Sequence, residues 1–404
     1  MGCENGDESM EGVKIVQATG RMDKAVLTCL SLESAEKVLS FHQSFPMYRE
    51  TPLTHLKQLA AELGIEAIYV KDESFRFGLN AFKVLGGSYA IGNYIAGRLG
   101  IDISELPYEE LISEEIREKT GEITFVTATD GNHGRGVAWT ANQLKQKSVV
   151  YMPKGSSLER LDNIRAEGAD ALITDLNYDD TVRFADKQAR ENGWVLVQDT
   201  AWGGYENIPV WIMQGYGTMG LEAYGQLGRR PTHIFLQAGV GSMAAAVTGF
   251  FSSAYGENKP IITIVEPNEA DCLYRTAKAA DGQLHFVTGE MKTMMAGLAC
   301  GEPCTIAWSI LESWADYFVS CPDRISVKGM QMLGNPLKGD PGIVSGESGS
   351  VTAGLVAEIM QNRDLSHIRE QLHLGKDSVV LCFSTEGDTD KENYKRIVRL
   401  MELL

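Results

Sequence analysis

Short β-branched apolar runs alternate through most of this chain with longer segments whose apolar positions recur at the helical period. The runs predict strands over Ile68–Val70, Ile123–Ala128, Ser148–Met152, Ala171–Ile173, Val195–Gln198, Ile234–Gln237, Ile261–Val265 and Val379–Phe383. Helices are expected to begin near Ala81, His133, Ser157, Asp179, Pro209, Ser242, Val351 and Lys391. Such alternation predicts an α/β fold, with mostly parallel sheets covered on both faces by helices. The strands from Ile123 to Gln198 group as one compact run of βα units, and the later strands form a second set. Ligands of open α/β sheets gather at the carboxyl ends of strands, so the turns there are where chemistry is expected.

Two stretches stand outside this rhythm. Gly97–Gly121, rich in Glu and Ile around Pro107, reads as an amphipathic surface insertion. Cys300–Met332, with Trp308 and Trp314 at partly helical spacing, reads as core or subunit contact. A chain of 404 residues exceeds the size at which one hydrophobic core keeps growing, which predicts two domains.

Charge and cysteines narrow the function classes. The formal net charge is −17, and no basic stripe is present to neutralise a phosphate backbone, which argues against a nucleic-acid partner. A small zwitterionic substrate is compatible with that acidity, because local groups in a cleft decide its binding. No uninterrupted apolar run approaches the roughly 18 residues of a membrane span. The opening MGCENGDESMEG lacks the basic start and apolar centre of a signal peptide and reads as a frayed acidic terminus, with a cytoplasmic location expected. Seven irregularly spaced cysteines do not form a secreted disulfide framework, and Cys300 and Cys304 lack the further ligands of a zinc site, so no metal is expected.

Three segments carry candidate chemistry. In SFRFGLNAFKVLGGSYA, Lys83 follows an apolar approach and precedes Gly86, Gly87 and a helical pattern. An amine becomes a covalent catalyst when partly desolvated, which Phe82, Val84 and Leu85 would achieve, and the glycines would admit a flat ligand beside it. The alternative is a helix-start lysine with a buried stem and a solvated head. In ITFVTATDGNHGRGVAWTAN a strand breaks into the turn Thr129-Asp130-Gly131-Asn132-His133 and then a small-residue helix, a layout that offers free N–H groups and a positive dipole end to an anion. HIFLQAGVGSMAAAVTGFF repeats the layout at Gly239-Val240-Gly241-Ser242-Met243. The last segment also fits the dinucleotide pattern G-x-G-x-x-A, with Glu266 placed as a ribose-binding acid, which keeps an NAD(P)-dependent dehydrogenase among the readings.

Taken together, Asn-x-x-Lys at Asn80–Lys83, Gly131-Asn132-His133, Gly239-x-Gly241-Ser242, SGESGS and CFSTEGDTD resemble the fold-type II pyridoxal phosphate enzymes, the tryptophan synthase β and threonine dehydratase group. The resemblance spans roughly Ser44 to Asp390. FRFGLNAFK, TDGNHGRGVAW and VQDTAW look like the diaminopropionate ammonia-lyases in particular, with Asp130 where dehydratases usually carry Ser. This resemblance implies a two-domain fold, with residues 89–207 a small mobile domain inserted into a large cofactor-binding domain of residues 1–88 and 208–404. It implies pyridoxal 5′-phosphate as cofactor, Lys83 as its Schiff-base lysine, and α,β-elimination of both D- and L-2,3-diaminopropionate to pyruvate and two ammonia.

The same resemblance implies roles for the rest of the site. Gly239, Val240, Gly241, Ser242 and Met243 would hold the phosphate, Asn132 the ring hydroxyl, and Ser384 or Thr385 would face the ring nitrogen. Lys83, Asp130 and Asp199 are the catalytic candidates. Asp130 would attract the β-ammonium or abstract the proton from the face opposite Lys83, and Asp199 would orient the substrate amine or act as another base. Each aspartate also has a plain reading, and for Asp130 it is a helix cap. Thr129, Asp130, Gly131, His133 and Asp199 are the substrate-binding candidates, with His133 expected mainly to support its loop. A homodimer is implied, and Cys272 and Cys300 are implied to lie close together near the active site. A serine/threonine dehydratase-like lyase is the nearest alternative, and a catalytically silent binding protein the most remote.

Overall fold

The computed structural model describes residues 12–20, 25–129 and 131–399. The acidic opening segment therefore lies outside the described residues up to Glu11, and so does Asp130. Among the described residues the strands are β1 (Lys14–Gln17), β2 (Leu53–His55), β3 (Ala67–Asp72), β4 (Thr124–Ala128), β5 (Lys147–Met152), β6 (Asp170–Ile173), β7 (Val195–Leu196), β8 (His233–Gln237), β9 (Ile261–Pro267), β10 (Tyr317–Cys321) and β11 (Val379–Ser384). They form a seven-stranded sheet in the order β1-β10-β9-β8-β11-β3-β2 and a four-stranded sheet in the order β6-β5-β4-β7.

The four-stranded sheet is parallel throughout, and in the larger sheet β10, β9, β8, β11 and β3 are parallel while β1 and β2 close the edges antiparallel. Every residue of β8, β10 and β11 is buried, as expected for parallel strands with helices on both faces. The α/β architecture expected from the alternation is what is found. Three strands escape the hydrophobic pattern. β1 and β2 are short edge strands of three or four residues, none of them fully buried, and β10 is hidden inside the Cys300–Met332 stretch, whose tryptophan spacing looks helical. That stretch is core, with Ala307, Ile310, Leu311, Phe318 and Val319 buried. The Gly97–Gly121 segment is less superficial than its charge pattern implies, because Leu106, Leu111 and Ile116 are buried in the main core.

Close helix packing places the lysine. The expected helix near Ala81 begins at Val84 and runs to Leu99, ending on Gly100 in the left-handed conformation. It crosses the helix Asn207–Leu227 where a Cβ on Gly215 would lie 2.3 Å from the Leu85 carbonyl, and one on Gly86 would lie 2.7 Å from Ile212 and Tyr216 side-chain carbons. Neither Gly86 nor Gly87 lines the cleft as expected: Gly87 packs at ordinary distance against Gly136 and Val137, and Gly86 serves helix contact. The corrected reason is steric: two backbones meet there with no room for a side chain. On the other side, a Cβ on Gly136 of the helix Asn132–Gln143 would lie 2.8 Å from Val84 Cα.

Beneath the lysine turn sits a buried charge cluster. Glu222, on the helix Asn207–Leu227, accepts from Arg76 Nη1 at 2.8 Å and Nη2 at 2.7 Å, from Lys71 Nζ at 2.7 Å and from the Tyr48 hydroxyl at 2.7 Å. Arg76 also donates to Glu73 at 2.8 and 2.9 Å. Two cations balance two carboxylates. Burial pushes the Glu222 carboxyl upward, but its bonds to Arg76 and the nearby Lys71 leave it below its ordinary value.

Candidate active site

The carboxyl ends of β8 and β11 and the turn after β4 open onto one cleft enclosing about 710 Å³ of space, part of it open to solvent. Lys83 enters it directly. The Phe82 N–H donates to the Thr385 carbonyl at 3.1 Å, tying the lysine turn to the end of β11, and the Gly87 N–H donates to the Lys83 carbonyl at 3.2 Å. Lys83 Nζ donates to Asp199 Oδ2 and lies 5.6 Å from the centroid of the Phe82 ring. The side chain is 19% exposed, which excludes the plain reading of a solvated head.

Asp199, just beyond β7, is 2% exposed. Burial pushes its carboxyl upward, but the charges of Lys83 and His133 and the Lys83 hydrogen bond outweigh this and bring it down to about 2. Its other oxygen is approached by Gln198 Nε2 at 3.4 Å and by the Tyr178 hydroxyl at 3.5 Å. Its carbonyl accepts from the Ser242 hydroxyl at 2.5 Å, which links the carboxylate's segment to the glycine turn after β8.

That turn is shaped to approach something closely. Gly241 has φ +101°, and a Cβ on Gly239 would lie 3.0 Å from Cys300 Sγ and 3.2 Å from the Gly297 carbonyl. The helix Ser242–Tyr255 starts there, so its first N–H groups face the cleft with the positive end of the dipole behind them. Among the described residues, Gln237 Oε1 and the Ser348 hydroxyl are buried, cleft-lining polar atoms without a protein partner. Gln237 uses its amide N–H groups on the Phe383 carbonyl and the Thr385 hydroxyl, both at 2.9 Å.

The turn after β4 contributes a second helix start. Thr129 Oγ1 accepts the N–H of Gly131 at 2.9 Å and of Gly134 at 3.0 Å, so Thr129 shapes the turn as well as lining the cleft. Asn132 Nδ2 donates to Glu386 Oε2, while Glu386 Oε1 accepts the Ser348 N–H at 3.0 Å. His133 Nε2 donates to the Val197 carbonyl at 2.8 Å, fastening the helix start to the segment just after β7.

Of the sequence candidates, Lys83, Thr129, Asn132, His133, Asp199, Gly239, Val240, Gly241, Ser242, Met243 and Thr385 line this cleft. Ser384 does not; its hydroxyl donates to Ser345 at 2.7 Å in the interior. Gly131, within the turn, does not line the cleft and packs against the Arg160 side chain. Asp130 lies outside the described residues. Sequence reasoning overlooks Tyr178, Gln237 and Glu386. Gln237 sits at the end of β8 and Glu386 just past β11, where the strand-end rule points, whereas Tyr178 begins a helix with no motif around it.

The dehydrogenase reading does not survive the geometry. Glu266 is fully buried and accepts the N–H groups of Leu273 at 2.9 Å and Tyr274 at 2.6 Å, capping the helix Cys272–Ala279, so it cannot reach a ribose. Cys272 and Cys300 are both buried free thiols, close enough that Cys300 adds to the upward push that burial gives the Cys272 thiol.

A lysine beside a strand-end cleft, an ionised carboxylate on it and a glycine turn feeding a helix define a class. The sequence profile of the pyridoxal-phosphate dependent enzymes matches residues 45–384, and the chain belongs to that family, in its fold-type II branch. Among curated proteins it is 52% identical over 379 residues to diaminopropionate ammonia-lyase of Salmonella typhimurium, covering 93% of this chain and 94% of that one. It is 50% identical over 371 residues to the Escherichia coli K12 protein of the same name, covering 91% and 92%. The crystal structure of the holo E. coli enzyme superposes with a TM-score of 0.91 at 46% identity, covering 97% of this chain and 98% of that one. Structures of that enzyme with D-serine and with an aminoacrylate-PLP azomethine reaction intermediate give 0.90 and 0.88, both at 45% identity and the same coverage. Within its class, the chain is a member of the diaminopropionate ammonia-lyases.

Proposed function

We propose that this protein is a carbon–nitrogen lyase that eliminates ammonia from both enantiomers of 2,3-diaminopropionate, using pyridoxal 5′-phosphate. The observation that carries the reading is the Lys83–Asp199 pair, one amine held in a cleft against a carboxylate that stays ionised. The cleft suits the cofactor. The Gly239–Met243 turn leaves N–H groups for a phosphate, with a Cβ at Gly239 crowded by Cys300 Sγ and the Gly297 carbonyl, and Gln237 Oε1 and the Ser348 hydroxyl are buried polar atoms for a polar ring to engage. When bound, pyridoxal 5′-phosphate supplies an aldehyde that joins amines and a ring that withdraws electrons from the substrate α-carbon.

Each protein group then has a task. Lys83 Nζ holds the cofactor in the resting enzyme and, once displaced by the substrate amine, exchanges the proton at the α-carbon. Asp199 keeps its charge beside that amine and orients the ammonium groups of the substrate. The first turn of the helix Asn132–Gln143, shaped by Thr129 and Gly131 and steadied by His133, receives the substrate carboxylate. Asn132 serves the ring hydroxyl. Thr385 would face the ring nitrogen, while the Ser384 hydroxyl is turned into the interior onto Ser345. Asp130 is assigned the proton on the opposite face, on the strength of its place in the TDGNHG motif. Loss of the α-proton and of the β-amine as ammonia leaves a three-carbon enamine, which takes up one water to give pyruvate and the second ammonia.

Residues 89–207 are assigned to a small domain and residues 1–88 with 208–404 to a large one. Sheet membership supports the division, since β4 to β7 fall in the first set and the other strands in the second. A homodimeric, cytoplasmic enzyme belongs to the same proposal; it rests on the family resemblance, and light scattering tests the dimer. The functional test is release of pyruvate and ammonia from a panel of amino acids in both configurations. Two ammonia per pyruvate from D- and L-diaminopropionate is the expected result. Faster turnover of serine or threonine would restore the dehydratase alternative.

A further inference from the structure

We propose that Arg160 is a positioning residue for this reaction, one that holds the substrate-facing turn at Gly131–Asn132 against the segment Glu386–Asp390. The proposal rests on the assignment of that turn to the substrate carboxylate. The segment is the second half of the CFSTEGDTD motif, and the assigned chemistry leaves most of it without a purpose.

Arginine is seldom buried, yet Arg160, on the helix Leu158–Ala166, is only 8% exposed. Its stem lies under the turn, where a Cβ on Gly131 would sit 3.0 Å from Arg160 Cδ and 3.4 Å from Cβ and Cγ. Its head reaches across to the residues after β11, with Nη2 donating to Thr389 Oγ1 at 3.4 Å. The same guanidinium faces Glu347, whose carboxyl is pushed up by burial and by neighbouring Glu386 and is pulled down by Arg160. One side chain therefore touches the turn from the four-stranded-sheet side and the segment from the other.

The segment is well fastened to the larger layer. Asn80 Nδ2 donates to Asp388 Oδ1 at 3.0 Å, the Gly387 N–H donates to the Asn80 carbonyl at 3.0 Å, and the Gly346 N–H donates to the Glu386 carbonyl at 2.9 Å. It is thus a fixed rail, and Asn132 on Glu386 and Arg160 on Thr389 are two points at which the turn's own layer grips it. Arg160 and Glu347 also line a broader outer space of about 1750 Å³ that shares Tyr178 and Ala296 with the cleft, so the grip lies beside the way in. Loosening it displaces the helix start that receives the carboxylate and leaves Lys83, held by other contacts, in place.

The test compares holoenzyme with Arg160→Gln and Arg160→Lys by steady-state kinetics on L-2,3-diaminopropionate and by amide hydrogen exchange. For Arg160→Gln, loss of a charge-assisted contact should raise KM about tenfold and lower kcat by less than about threefold, the pattern of lost binding rather than lost chemistry. Arg160→Lys, which keeps stem and charge, should recover most of that loss. Exchange should rise in Arg160→Gln at residues 131–134 and 386–390 together. An unchanged KM, a lysine variant as impaired as the glutamine one, or faster exchange confined to the helix Leu158–Ala166 would each overturn the proposal. Should Arg160→Gln fail to fold, Thr389→Val removes the other partner and should raise KM in the same direction. A parent enzyme that ignores diaminopropionate would sink the functional reading instead, and the exchange experiment would still decide whether Arg160 grips the rail.

Discussion

Replacing Gly241 by alanine tests the phosphate cradle most directly. At φ +101° an L-residue sits outside its comfortable backbone region, which costs about 1–3 kcal/mol, less about 0.4–1 kcal/mol recovered from the unfolded chain. The new Cβ would meet Leu273, Leu311 and Ala307 carbons at 3.3–3.4 Å, contacts that side chains absorb by small shifts, so the backbone term dominates. A net cost of about 1–2 kcal/mol is relieved if the turn relaxes and its N–H groups leave the phosphate. Cofactor affinity should then fall about fivefold to thirtyfold. Gly228→Ala provides the control, because Gly228 has φ +62°, nothing within 4 Å of where its new methyl would sit, and no place in the cleft. Titrating cofactor-free protein with pyridoxal 5′-phosphate, followed by tryptophan fluorescence, measures both. Parental affinity in Gly241→Ala, or an equal loss in Gly228→Ala, would refute the assignment of this turn to the phosphate.

Lys83→Ala should abolish the borohydride-stable mass on the protein and slow elimination by at least about 10²–10⁴-fold, the range for a lost proton-transfer group, checked by mass spectrometry and pyruvate release. Asp199→Asn should destabilise cofactor-free protein by about 2 kcal/mol at neutral pH, because the carboxyl lies nearly two pH units below its ordinary 3.8. A lowered folded-state value gives stability that is complete above 3.8 and fades as pH falls toward about 2, so the gap between parent and variant in urea unfolding should narrow only below pH 3.8. Glu222→Gln, which strands Arg76 and Lys71 with one carboxylate between them, should cost about 3–5 kcal/mol in urea unfolding while leaving the cleft's residues unchanged.

Much of this molecule is legible from the chain alone, for definite physical reasons. Buried parallel strands are continuous apolar runs, so β4, β5, β8, β9 and β11 stand out, and a strand that breaks into a glycine turn marks a helix start wherever it occurs. That is why the order of residues along the chain is enough to gather Lys83, Asn132 and Gly239–Met243 onto one cleft. Edge strands such as β1 and β2 carry too few residues to show a period. Side-chain direction is the harder matter. Ser384 and Thr385 are adjacent in the same motif, yet strand alternation sends one hydroxyl inward to Ser345 and leaves the other on the cleft. Gly86 looks like room for a ligand because a sequence cannot say that Gly215, more than a hundred residues on, needs the same space.

The contact between Gly86 and Gly215 has a consequence for how such a site can diversify. Where two main chains touch, there is no cushion of side chains to retune, so the spot that aims the amine is frozen against gradual change. Novelty in what the cleft accepts must come from the loops at its rim, which can lengthen or swap residues without disturbing the aim.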